Sequence, residues 1–198
     1  MKFSNKEIKD LFVSWLLISI AFAILFSGGL NFILSPNLFF IFVFLFSLLT
    51  VGISFLLHEL MHKYFAQKYG LWAEYRAFYN MLLMAIAFSF FGFIFAAPGA
   101  VFMQGRITKE KNGKISLAGP MTNIVLAFLF FLGILFIQGG EIINLFLNYG
   151  LTINSLLALF NLIPAGPFDG KKVYDWNKGI YAIAVVFAFL LFFVRFVV

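Results

Sequence analysis

Leu56-Leu57-His58-Glu59-Leu60-Met61-His62 is the stretch whose reading decides the fold. It closes an apolar run that starts near Leu38, and it holds the only two histidines of the chain. Residues four apart on a helix share a face, so the two imidazoles can reach one metal ion together. Glu59 lies beside that face and can take a proton from a water held there. The competing reading makes these residues a polar cap where a membrane helix meets the interface. A glutamate is costly in an apolar span that has no use for it, which favours the metal reading.

The surrounding composition agrees with a helix in a bilayer. The chain has 198 residues, of which 63% are hydrophobic and 11% charged. Its mean hydropathy is +1.02. These values belong to integral membrane proteins and exclude an ordinary soluble domain. The net charge of +6 does not point to nucleic acid, because Lys and Arg sit in short connections between apolar runs, where they set topology. Cysteine is absent, so there is neither a disulfide framework nor a thiolate site. A metal must be held by His, Asp or Glu.

Upstream of the motif, Lys2, Lys6 and Lys9 precede an apolar run from Leu11 to Phe26. Ser27-Gly28-Gly29 follows it, as behind a signal peptide, yet Ala21 and Ala23 lie inside the apolar stretch, poorly placed for an A-x-A cleavage site. The run is therefore read as a retained first span with a cytoplasmic N-terminus. Ser35-Pro36-Asn37 reads as a turn, and Leu38 to Leu57 alone suffices to cross ~30 Å of hydrocarbon. The helix should stop at Gly70, with Lys63, Lys68 and Arg76 marking the cytoplasmic side.

Downstream, Tyr79 to Ala97 is apolar and ends at Pro98-Gly99. Asn112-Gly113 is a type I′ turn signal, which predicts a β-hairpin from 100–108 and 114–117. Gly119-Pro120 reads as the opening of a further helix, with Pro in its first turn and an end near Gln138. Another apolar run extends from Ile142 to Ile163, mildly interrupted between Asn148 and Asn154. Pro164 and Pro167 then forbid a regular helix before Asp169-Gly170. Lys171, Lys172 and Lys178 lead into a last span from Gly179 to Val194.

Catalytic zinc usually takes three protein ligands and keeps a fourth position open. With histidine and cysteine exhausted, Asp169 is the best third ligand, because it follows a broken apolar segment. Irregular backbone at membrane depth is tolerated where it lines a protein-enclosed or watery cavity. The alternative makes Asp169 a turn residue in a Pro-Phe-Asp-Gly loop.

His58-Glu59-x-x-His62 followed by Asn161-x-x-Pro164-x-x-x-x-Asp169-Gly170 resembles the site-2 protease family, zinc metalloproteases that cleave transmembrane segments within the bilayer. Gly119-Pro120-x-x-Asn123 resembles a motif at the start of that family's middle core helix. The resemblance spans about 51–172. It implies one Zn²⁺ held by His58, His62 and Asp169, with Glu59 as general base and then acid for the leaving amine. It places Asn161 beside the site, near substrate or oxyanion; the other reading is a helix-end hydrogen bond. Asn123 is a second such candidate, against a polar link between two helices. The hairpin could pair with an unwound substrate strand or be a plain surface feature.

The expected protein is an all-α integral membrane protein, a multi-span helical bundle with a small β-hairpin and a re-entrant segment. It forms one domain over 1–198, with a catalytic core about 38–172. Two crossings, from Gly119 and Ile142, separate the histidines from Asp169, so the ligands meet at one depth only if 79–97 does not cross. That segment is therefore read as re-entrant or interfacial, which leaves five crossings. The expected function is intramembrane proteolysis of a transmembrane protein substrate, carried out in the lipid bilayer of the cell membrane by a multi-pass protein that has no nucleic-acid partner. The alternatives are a membrane metal-ion transporter and a catalytically inactive membrane relative. Glu59 discriminates, since a transporter has less need of a carboxylate beside the first ligand.

Overall fold

Helix α1, Asn5–Phe26, starts where Ser4 accepts a hydrogen bond from the Glu7 backbone N–H. The computed structural model describes residues 1–31, 39–94, 98–137 and 139–196. Helix α2 is continuous over Phe39–Lys68, 30 residues and about 45 Å at the helical rise. One π turn at Leu48–Gly52 interrupts it. It ends before Gly70, whose φ of +78° is the left-handed stop that glycine favours. Strand β1 is Trp72–Ala77, α3 is Tyr79–Ser89 and β2 is Gly99–Gln104. Four helices follow: α4 Lys109–Phe136, α5 Glu141–Asn161, α6 Asp169–Trp176 and α7 Lys178–Val194.

The chain forms two compact units, Met1–Leu56 with Glu74–Phe102, and Leu57–Ala73 with Met103–Val198. In the first, Trp15 Nε1–H donates to the Leu48 carbonyl at 3.1 Å. Its indole lies so close to Gly52 that a Cβ there would overlap it. Helix α1 also holds one edge of β1. Glu7 Oε1 accepts from the Tyr75 backbone N–H at 2.9 Å, and Asp10 accepts from Ala77 N–H at 3.4 Å and Tyr79 O–H at 2.6 Å. Strand β1 pairs with β2 in a two-stranded sheet.

In the second unit α4 packs on α5, α6 and α7. Its core joins Ile124 and Ala127 of α4 to Leu151 and Ala158 of α5 and to Ala184, Ala188 and Leu191 of α7. Small residues allow the close approaches. A Cβ on Gly150 would run into Phe130, and one on Gly113 into Trp176.

Four helices among the described residues, α1, α2, α4 and α5, are long and apolar enough to cross a membrane. Helix α7 has 17 residues. Helix α3 has 11, about 16 Å, too short for ~30 Å of hydrocarbon.

The predicted hairpin over 100–108 and 114–117 is corrected. Its first arm contains β2, but the partner is β1, and Lys114–Leu117 belongs to α4. Thr108 caps α4 by accepting from Lys111 N–H at 3.2 Å, and Lys114 pairs with Glu110 one turn away. Asn112-Gly113 is therefore helical, its glycine serving contact with Trp176 rather than a turn. Pro120 likewise lies inside α4 instead of opening it. The mild polar interruption between Asn148 and Asn154 does not break the helix, and α5 runs through it to Asn161. The turn at Ser35-Pro36-Asn37, the start at Leu38, and the boundaries at Ala97 and Gln138 lie outside the described residues.

Candidate metal centre

His58 and His62 are buried on one face of α2, and their Nε2 atoms are 3.0 Å apart. Asp169 is the first residue of α6, where the chain resumes a helix after the Pro164–Pro167 break. Its Oδ2 lies 3.5 Å from His58 Nε2 and 3.0 Å from His62 Nε2. Asn161 ends α5, so the Asn161-to-Asp169 stretch is the loop that carries the carboxylate to the histidines. The close fit of the loop shows at Gly170, where any Cβ would overlap the Leu162 carbonyl.

The far sides of both rings are also held. His62 Nδ1 is 2.8 Å from the Ile115 carbonyl, and His58 Nδ1 is 2.5 Å from Asn123 Oδ1. Both partners are oxygens that accept, so both Nδ1 atoms carry hydrogen and both neutral rings turn a lone pair on Nε2 inward. Three electron-pair donors thus converge within 4.8 Å. One proton can bridge two of them, whereas one divalent cation satisfies all three.

Gly119 leaves the room that a cation needs. A Cβ at this position would overlap Nε2 of both histidines, so the α4 backbone passes the rings with no side chain between. Two nitrogens, one carboxylate oxygen and outer hydrogen-bond partners for both rings form a donor set that suits zinc. The residues fit the ion the sequence implied.

Glu59 follows His58 on α2 and is almost as buried, at 9% exposure. Asn161 spends its Nδ2–H on the Leu157 carbonyl at 2.9 Å. Asn123 stands behind the His58 ring, away from Nε2. It also joins α4 to α5 by donating to Asn154 Oδ1 at 3.1 Å, the polar link between helices that was its other reading. The sequence pointed to no contact with the two histidines for Ile115 or Gly119, and none with Asp169 for Lys172. The Lys172 Nζ lies 3.5 Å from Asp169 Oδ1, one turn along α6. A glycine amid apolar residues offers no signal that metal-binding rings press against it.

A Methanocaldococcus jannaschii protein, "Putative zinc metalloprotease MJ0611", is 45% identical over 184 residues, covering 92% of this chain and 90% of that protein. The chain belongs to this zinc metalloprotease family. A second protein of that organism, "Zinc metalloprotease MJ0392", is 33% identical over 127 residues, 61% of this chain but 31% of its own length. "Putative zinc metalloprotease YwhC" of Bacillus subtilis is 30% identical over 152 residues, 64% of this chain and 66% of that protein. No family model and no solved structure matches the metalloprotease. Its His58, Glu59, His62 and Asp169 stand inside a helical membrane-type chain, which narrows how a metalloprotease could work.

Proposed function

We propose that this metalloprotease is an intramembrane endopeptidase of the site-2 protease type, hydrolysing peptide bonds in or beside transmembrane segments of membrane proteins. The observation that carries the reading is the placement of the metal-ligand candidates. His58 and His62 lie on α2, itself long and apolar enough to span, and Asp169 meets them from a broken segment.

His58, His62 and Asp169 would hold a zinc ion, which would supply Lewis acidity for activating water and polarising a peptide carbonyl. Glu59 takes the proton of the attacking water as its oxygen bonds to the carbonyl carbon. The same carboxyl then passes that proton to the amine nitrogen as the C–N bond breaks. Asn161, at the end of α5, is the proposed contact for the substrate backbone. The substrate helix must unwind first, because its own hydrogen bonds shield its amides. Strand addition at β2 is the proposed way to hold the unwound segment, since β1 already has α1 on one edge and β2 on the other. Five crossings, a cytoplasmic N-terminus and a re-entrant or interfacial 79–97 complete the proposal. Helix α3 is short, as this requires.

Glu59→Gln tests the chemistry. The amide is nearly isosteric but cannot accept the water proton. Bound zinc should stay at the wild-type level, while cleavage of a transmembrane test peptide falls ~10²-fold or more. Added zinc should not restore it. Cleavage at the wild-type rate would overturn the role of Glu59, and zinc uptake into proteoliposomes without cleavage would favour a transporter.

A further inference from the structure

The two histidines of the motif are steadied in different ways. The partner of His62 Nδ1 is the Ile115 carbonyl, a backbone group with no hydrogen to offer. That contact admits only the Nδ1–H form of a neutral ring. The partner of His58 Nδ1 is the side-chain amide of Asn123, which could turn over and present its NH₂ instead. A turned amide would demand a bare Nδ1 and put the ring hydrogen on Nε2, where the metal should bind.

Two further hydrogen bonds prevent this. Asn123 Nδ2–H donates to Asn154 Oδ1 at 3.1 Å, and Asn154 Nδ2–H donates to the Gly150 carbonyl at 2.8 Å. The direction is fixed from the far end. The Gly150 carbonyl only accepts, so Asn154 must turn its NH₂ toward it. Asn154 Oδ1 then faces α4, so Asn123 must turn its NH₂ toward that oxygen. Asn123 Oδ1 is left facing His58 and receives the ring hydrogen on Nδ1. Both asparagines are 0% exposed, and the low dielectric strengthens a satisfied chain and penalises a broken one.

We propose that Asn123 and Asn154 form a positioning relay, anchored on the α5 backbone at Gly150, that sets the tautomer and ring angle of His58 for metal binding. The inference rests on His58 being a metal ligand. Helix α5 contributes no ligand of its own, yet through the relay it determines how one ligand on α2 is presented. Outer partners of this kind typically change metal affinity 10–100-fold.

The test uses the full chain in detergent and two readings, Zn²⁺ affinity by chelator competition and ¹⁵N spectra of the histidines in metal-free protein. Asn123→Leu should weaken zinc binding by ~10–100-fold. Asn123→Asp keeps an acceptor oxygen for His58 and should retain affinity within about threefold of wild type, as a charged acceptor holds an N–H at least as well. Asn154→Leu frees the Asn123 amide to turn. Its His58 spectrum should become a mixture of both tautomers, while His62 stays in the Nδ1–H form as an internal control. If the asparagines only join helices, Asn123→Leu and Asn123→Asp should move zinc affinity alike, and that outcome overturns the relay. A wild-type His58 bearing its hydrogen on Nε2 overturns it too, without any variant having to fold. Unchanged zinc affinity in His58→Ala would instead show that the ligand assignment had failed.

Discussion

Buried polar groups are used in opposite ways in the two units. Around β1, donor meets acceptor: Glu7 takes the Tyr75 N–H, Asp10 takes the Tyr79 hydroxyl at 2.6 Å, and the Tyr75 hydroxyl donates to Ser14 at 2.9 Å. Around His58, acceptor meets acceptor. Two Nε2 atoms and a carboxylate oxygen face one another, although every outer contact of the rings is satisfied. The first pattern is closed and serves the fold. The second is completed by a cation, which is why Glu7 and Asp10 serve the fold while Asp169 is left for a metal. Burial of an acid in an apolar chain is thus no guide to function until its partners are known.

The largest expected effect comes from removing a member of the open set. Asp169→Ala should cut zinc affinity by more than the ~100-fold typical of losing an outer partner, because one of three donors disappears. Metal content of the purified protein and cleavage of the test peptide should fall together. Full zinc retention would break the comparison, since the set would then not need this carboxylate.

Gly119→Ala should come next. The added methyl overlaps both Nε2 atoms, and overpacking of this kind typically costs ~1–3 kcal/mol. Zinc affinity should drop by more than thermal stability does in the metal-free protein, because the methyl meets the ligands first. An equal loss in both would make Gly119 a packing glycine like Gly113 and Gly150.

The smallest effect belongs to the closed set. Asp10→Ala deprives the Tyr79 hydroxyl and the Ala77 N–H of their acceptor, and should lower stability by ~1–3 kcal/mol. Denaturation midpoints would show it, with bound zinc unchanged. Loss of zinc in this variant would mean that the two kinds of polar cluster are not separate in function.

The sequence by itself determined the membrane class, the helix carrying His58 and His62, and the break before Asp169. These follow from local rules: apolar run length, four-residue spacing on a helix, and the inability of proline to continue one. Asp169 as the third ligand candidate was reachable because histidine and cysteine had run out. Tertiary structure decided what local rules leave degenerate. Asn112-Gly113 has turn propensity, yet a capped helix start and the Trp176 contact keep it in α4. Strand β1 was overlooked because six residues of mixed polarity are weak evidence without their partner, and that partner is β2, separated from β1 by α3. The direction of the Asn123 amide was likewise invisible in the chain. It depends on an acceptor 31 residues away and on a backbone carbonyl beyond it, a constraint that exists only once α2, α4 and α5 are packed.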